Sequence, residues 1–420
     1  MNLGIKNLAS IVLATTVCFN VLTLGLGTGV SASPEMAVLY SSDTYDPWED
    51  SHVPLWRITE DVSMISRDGK FGLINAQGAE IAPPVFDDIT DYHNGFVSVG
   101  IGATLETMRW GAIEVSTGTI VLPLAFSFDE IIILRHFMSL SDCTAIPSNV
   151  ERLHWNEVSR ILPMRTPIQV FDIFSGITYY VSSLSNNIHA DVETVTARDT
   201  ELLFESFDGI STWFGQPIWV TIGDRTIAAT IHSVPHDIST IANNNMDGHI
   251  CMHFYGSFTS NVGVHTHNQD MVDFAYEIYR ILADLGLTGQ PECLRTLMES
   301  MINVKVNGVP LAMDALPAVN DGRTFMPLRS VGEALGAQFS WDGSAQEITM
   351  EYSGTTITMI IGSNSVTVRS SSGTDTLTLD VAPLVSGGRT TIPLRDIAQI
   401  FGYNVDWDND TRTAFIVSGS

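Results

Sequence analysis

The stretch "RTFMPLRSVGEALGAQFSWD", residues 323–342, recurs without a gap as "RTTIPLRDIAQIFGYNVDWD", residues 389–408. Arg323, Pro327, Arg329, Gly336 and Trp341 return as Arg389, Pro393, Arg395, Gly402 and Trp407, at a period of 66 residues. Self-similarity at a fixed period marks a structural unit used twice. Each Pro predicts a helix opening at its first position, where a missing N–H costs nothing. "LRSVGEALG" spaces apolar residues at helical intervals, and Gly336 and Gly402 predict left-handed ends to those helices. The segments "ITMEYSGTTITMIIGS" and "TAFIVSGS" that follow alternate as strands do. The recurring Arg residues are expected to be structural, pairing with acidic turns such as those of Asp342 and Asp408.

An earlier, looser duplication lies in residues 55–131. "GKFGLINAQGAEIAPPVFDDI" (69–89) and "MRWGAIEVSTGTIVLPLAFSFDEI" (108–131) each carry an aromatic-Gly pair, a Gly-containing turn, a Pro and an acidic-Ile ending. Phe71-Gly72 aligns with Trp110-Gly111 at a period of 39 residues, which predicts repeated hairpins. Their aromatics are read as repeat core rather than as a binding platform.

The leader "MNLGIKNLASIVLATTVCFNVLTLGLGTGVSA" has one Lys, an apolar run and small residues at Val30 and Ala32. It predicts a signal peptide over 1–32, a linker over 33–54 and an exported mature chain that is not membrane-bound after cleavage. Hydrophobic content of 45% is that of a globular chain, and the formal charge of −27 disfavours nucleic acid and anionic membrane surfaces. Removal of the leader leaves Cys143, Cys251 and Cys293. Cys143 and Cys293 flank the central region and are candidates to pair, with intermolecular pairing the alternative; Cys251 is then the free thiol.

Seven of the eleven His residues fall in residues 189–267. "GHICMHFYGS" (248–257) reads as a strand, so His249, Cys251 and His253 face one way. His189 and Asp191 lie in "NNIHADVE", His232 and His236 in "IHSVPHD", and His265 and His267 in "GVHTHN". A thiol becomes a nucleophile when an imidazole takes its proton, and His236 precedes Cys251 by 15 residues in a loop. Around it, "TPIQVFDIFSGITYYVSS" and "QPIWVTIGDRTIAATIHSV" read as hairpins, Thr196 as a helix start, and "NQDMVDFAYEIYRILADLG" as an amphipathic helix. Val272, Tyr276, Tyr279 and Ala283 are its expected buried face.

Four families are resembled. Residues 303–417 resemble the copper amine oxidase N-terminal-like (stalk) domain of exported Firmicutes proteins. That resemblance implies a non-catalytic, wall-associating module, since the segment contains no His. Residues 55–131 resemble WG-type repeats. The central region resembles the L,D-transpeptidases of bacterial cell walls, whose signature is an upstream His, a loop, then Ser-His-Gly-Cys-Ile/Val-Arg. Cys251 matches the nucleophile, His249 the signature His, and His236 the upstream His, with His232 the alternative. Gly248 replaces Ser, Ile250 replaces Gly, and Met252-His253 replaces Ile-Arg. The lost Arg removes a carboxylate-binding group, and the lost Gly touches the oxyanion role. The same segment is also similar to an exported Firmicutes domain with "HADVE", "PH", "GHxCxHF" and "TH" motifs and no established chemistry.

The expected architecture is multidomain and β-rich. It has an all-β repeat region (55–132), a β-rich α+β central domain (150–295) and a duplicated α+β stalk domain (301–420). The expected setting is secreted and cell-wall associated, with peptidoglycan or another envelope polymer as partner. The leading chemistry is Cys-dependent acyl transfer with no cofactor. The alternatives are a non-catalytic wall-binding scaffold and a Zn-dependent hydrolase drawing ligands from His189, Asp191, His232, His236, His249, His253, His265 and His267.

Overall fold

The computed structural model describes residues 56–104, 106–140, 145–290, 292–386 and 388–418. The expected signal peptide, the linker and Cys143 lie outside them. The chain is multidomain and β-rich, and it divides into two compact units. The first joins the residues up to Arg135 with those from Glu299 onward; the second is His136–Met298. Among the described residues, no helix is long and apolar enough to cross a membrane.

In the first unit, the 39-residue repeat builds two four-stranded antiparallel sheets. The aromatic-Gly motif has a steric cause. A Cβ on Gly72 would lie 2.6 Å from the Ala82 carbonyl oxygen, and one on Gly111 would lie 2.5 Å from that of Leu122. Both glycines sit where the pairing with the next strand shifts register, so the two backbones approach closely only without a side chain. Trp110, beside Gly111, is fully buried, a core residue rather than a platform.

The 66-residue duplication closes on itself. Strand Arg323–Pro327 pairs antiparallel with its own copy, Arg389–Pro393. Met326 faces Ile392, its equivalent in the other copy, so a local two-fold passes through this pair, and both residues are fully buried. Helices Leu328–Ala334 and Leu394–Phe401 follow directly. Pro327 and Pro393 stand one position earlier than expected, at the N-cap, because each is still the last residue of its strand. Gly336 (φ +95°) and Gly402 (φ +76°) end the helices in the left-handed region. The expected Arg pairings are not the ones formed. Asp342 accepts from Ser344 and Ala345, and Asp408 from the N–H groups of Asp410 and Thr411, within their own turns. Arg389 pairs instead with Asp314, and Arg329 with Glu333.

The second unit is a closed six-stranded antiparallel barrel. Its order is Pro167–Asp172, Thr178–Ser185, Ala190–Thr194, Ile250–His253, Arg225–Ile231, Gln216–Ile222, and back to the first. Both expected hairpins form. Thr196 caps helix Ala197–Ser206 through a reciprocal bond with Asp199. Helix Val262–Asp284 contacts strands Gln216–Ile222 and Arg225–Ile231 and receives the Trp219 indole N–H at the Ala275 carbonyl, 3.0 Å away. Its buried face is Met271, Val272, Phe274, Ala275, Ile278 and Leu282, rotated from the expected one. The tyrosines are half-buried, and Tyr279 Oη donates to the Ser148 carbonyl. Cys293 is disulfide-bonded to a partner outside the described residues, and Cys251 is free.

Because its Cβ has no space to enter, Gly111→Ala is expected to destabilise the first unit by about 1–3 kcal/mol. Urea unfolding of the full chain checks this; an unchanged midpoint would contradict the steric account of the motif.

Candidate active site

Two paired strands carry the site. Ala190–Thr194 runs antiparallel to Ile250–His253 with Asp191 directly opposite Cys251. Ala190, Val192, Ile250 and Met252 enter the barrel core. Alternation therefore sends Asp191, Cys251 and His253 to the outer face. The loop that follows strand Arg225–Ile231 folds back over this face. His236 and His249 exchange backbone bonds, His236 N to His249 O at 2.9 Å and His249 N to His236 O at 2.8 Å. Gly248 permits that exchange. Its φ is +112°, and a Cβ there would lie 2.6 Å from the His236 carbonyl oxygen. An ordinary side chain at position 248 would obstruct that exchange.

The side chains converge. Cys251 Sγ lies 3.5 Å from His236 Nε2 and 4.0 Å from Asp191 Oδ1. His236 Nδ1 is 3.0 Å from the Val234 carbonyl, which can only accept. The ring proton is therefore on Nδ1, and the Nε2 lone pair faces the thiol. Asp191 Oδ1 also meets His189 Nε2 at 3.1 Å and His249 Nε2 at 3.7 Å. His189 Nδ1 turns to the Phe258 carbonyl at 2.8 Å, and His249 Nδ1 to that of Ile238 at 3.4 Å. His232 Nε2 accepts the backbone N–H of Cys251 at 3.1 Å. That amide is consequently occupied.

Six of the nine sequence candidates thus meet: His189, Asp191, His232, His236, His249 and Cys251. His253 extends the cluster, its ring 4.7 Å from that of His189, fully buried and with Nδ1 unpartnered among the described residues. His265 packs on Phe258 in the first turn of the long helix, near enough to His253 to disfavour charge there. His267 is not brought in. It bonds the Gly215 carbonyl at 2.9 Å and packs against Phe214.

Four contributors escaped the sequence reading. Glu193, fully buried two residues beyond Asp191, holds the overlying loop through the N–H groups of Thr240 (2.5 Å) and Ile241 (2.9 Å) and the Asn244 amide (3.3 Å). Ser239 Oγ accepts the Gly248 N–H at 2.6 Å. Trp213, 45% exposed, lies 4.9 Å from both the His232 and His236 rings and with Ile238 (70% exposed) gives the site an apolar border. The one available signal was Glu193 in "HADVE", at the same strand alternation as Asp191.

The titrating groups split by environment. Burial opposes charge on His189, but its bonds to Asp191, Cys251 and Phe258 outweigh this and carry its pKa up to about 10. Burial, aided by His236, His189 and His249, pushes His232 down to about 3 and leaves it neutral. His253 is likewise driven well below the ordinary value.

Comparison with known proteins finds two matches. Residues 305–416 are similar to the copper amine oxidase N-terminal domain, and residues 71–102 to the WG containing repeat. Neither match reaches the barrel, and the transpeptidase and Firmicutes resemblances gain no support from them. No curated protein and no solved structure matches the chain. These matches fit a cell-envelope-associated protein with a stalk domain and repeats. The stalk match holds no His, and the described clusters able to hold a metal all lie in the barrel unit.

Two outcomes follow. Unfolded His takes up a proton near 6.5 that folded His232 refuses, so barrel stability should fall as pH drops from about 6.5 toward about 3. His189 contributes stability that is complete below about 6.5 and lost as pH rises toward about 10. Urea midpoints across this range should peak near neutrality, with the alkaline limb flattened in His189→Gln; a limb unchanged in that variant would contradict the pairing. Separately, Glu193→Ala strands the loop donors and should cost about 1–3 kcal/mol while slowing Cys251 alkylation. Unaltered alkylation would show that the loop needs no such anchor.

Proposed function

We propose that the protein is exported to the cell envelope and that its barrel performs Cys-dependent acyl transfer on cell-wall peptides. The observation that carries this reading is the contact of Cys251 Sγ with His236 Nε2, at 3.5 Å, on a ring whose tautomer the Val234 carbonyl fixes. His236 takes the thiol proton as the sulfur bonds to a peptide carbonyl carbon. The C–N bond then breaks, the departing amine takes the proton from His236, and a thioester remains on Cys251. A second amine, or water, attacks that thioester, His236 removes its proton, and the thiol is regenerated. Asp191 and His189 form a compensated charge pair beside the sulfur. The stalk and repeat matches support the envelope setting, and peptidoglycan is the polymer this reading implies.

A second reading is favoured by one specific feature. His189, His236 and His249 each turn Nδ1 to a backbone carbonyl and Nε2 toward Asp191 or Cys251. Proteins orient imidazoles this way for metal ligation. Cys251 groups with His232 and His236, and with His189 and Asp191, at spacings that suit Zn²⁺.

Mass spectrometry after brief exposure to iodoacetamide, with and without chelator, separates the two. Acyl transfer predicts fast labelling of Cys251 that chelator leaves unchanged and His236→Ala slows, by roughly 10²-fold if the base acts fully. It also predicts a Cys251 acyl adduct with a wall tetrapeptide. Labelling only after chelation assigns the thiolate to a metal. A thiol inert until unfolding would sink both readings.

A further inference from the structure

The duplicated domain contains a cleft of about 470 Å³ walled by both copies. Trp341, Phe339, Ser340 and Arg329 come from the first copy; Arg389 enters from the second, and Asp314 completes the wall. The duplication supplies an internal comparison for the tryptophan. Trp407, the equivalent residue, donates its indole N–H to Asn409 Oδ1 at 2.7 Å, and the Arg412 guanidinium lies 5.8 Å from its ring centre. In the first copy, Gly343 stands where Asn409 does and Gln346 where Arg412 does. Trp341 is 49% exposed, and among the described residues its indole N–H makes no hydrogen bond. The same tryptophan is therefore saturated in one copy and left open toward a cleft in the other.

Its neighbours differ in the same sense. Phe339 corresponds to Val405, so the first copy keeps an aromatic floor where the second has an aliphatic group. Arg389 is committed to Asp314. Arg329 holds Glu333 only at 3.9 Å, and its guanidinium is 5.9 Å from the Phe339 ring centre. It keeps donors free for a planar anion.

We propose that this cleft binds a pyranose ring bearing a carboxylate. The C–H face of the ring lies on Trp341, the indole N–H meets a hydroxyl, and Arg329 meets the carboxylate. Such a carboxylate belongs either to a uronic acid or to a lactyl-substituted aminosugar. The inference deepens the envelope reading by naming what the stalk domain would hold, and it does not depend on Cys251.

The test is calorimetric titration of the full chain with three probes: an oligogalacturonate, a muramic-acid-containing disaccharide and an uncharged chito-oligosaccharide. At least one acidic probe should bind, and which one binds identifies the source. Trp341→Ala should weaken binding by about tenfold or more, while Trp407→Ala leaves it unchanged. Arg329→Gln should lower affinity for the acidic probe to that for the uncharged one. Gly343→Asn, which keeps the aromatic face but offers the indole an acceptor, should weaken binding too. No binding by either acidic probe, or equal losses in Trp341→Ala and Trp407→Ala, would overturn the proposal. None of these readouts involves the thiol, so failure here leaves the barrel chemistry standing, and failure there leaves this site standing.

Discussion

The candidate site depends on a pair of backbone hydrogen bonds between His236 and His249, and those bonds depend on Gly248. With φ at +112° and no Cβ, Gly248 lets the loop after strand Arg225–Ile231 lie against the start of strand Ile250–His253. That contact sets His236 beside Cys251. Glu193 and Ser239 hold the same loop from beneath, through backbone N–H groups that would otherwise be stranded. The reactive pair is therefore positioned by a turn whose geometry excludes ordinary side chains, supported by a buried carboxylate that takes no part in the chemistry.

Close backbone approach at glycine recurs in the first unit. Gly72 and Gly111 let neighbouring strands come together in each copy of the repeat. The longer duplication works differently, by setting equivalent residues Met326 and Ile392 face to face across a local two-fold. A two-fold of this kind needs both copies to exist, but it leaves their outer surfaces free to diverge. Trp341 and Trp407 have done so: one is capped by its own turn and the other opens on a cleft.

Much of this was legible in the sequence. Periods of 39 and 66 residues located both duplications because repeated packing needs repeated residues at fixed spacing. Strand alternation placed His249, Cys251 and His253 on one side. The loop histidine 15 residues upstream proved to be the one that reaches the sulfur. What the sequence withheld depends on contacts distant along the chain. Barrel closure, the Asp191–Cys251 register and the Glu193 anchor arise from pairings across some 50 to 60 residues, which local periodicity does not encode. His267 looked equivalent to His265, yet two positions along a helix turn a side chain by more than half a circle, toward Gly215. The long helix was read with its tyrosines inward, although the Tyr279 hydroxyl reaches out to the Ser148 carbonyl.

The central claim is that the neutral His236 ring carries its proton on Nδ1 and offers Nε2 to Cys251. Nitrogen-15 NMR of the imidazole in labelled protein, at a pH where the ring is neutral, tests it directly. The account predicts a protonated Nδ1, bonded to the Val234 carbonyl, and an unprotonated Nε2 whose resonance moves when Cys251 is replaced by Ala. A proton on Nε2, or a resonance indifferent to Cys251, would contradict it.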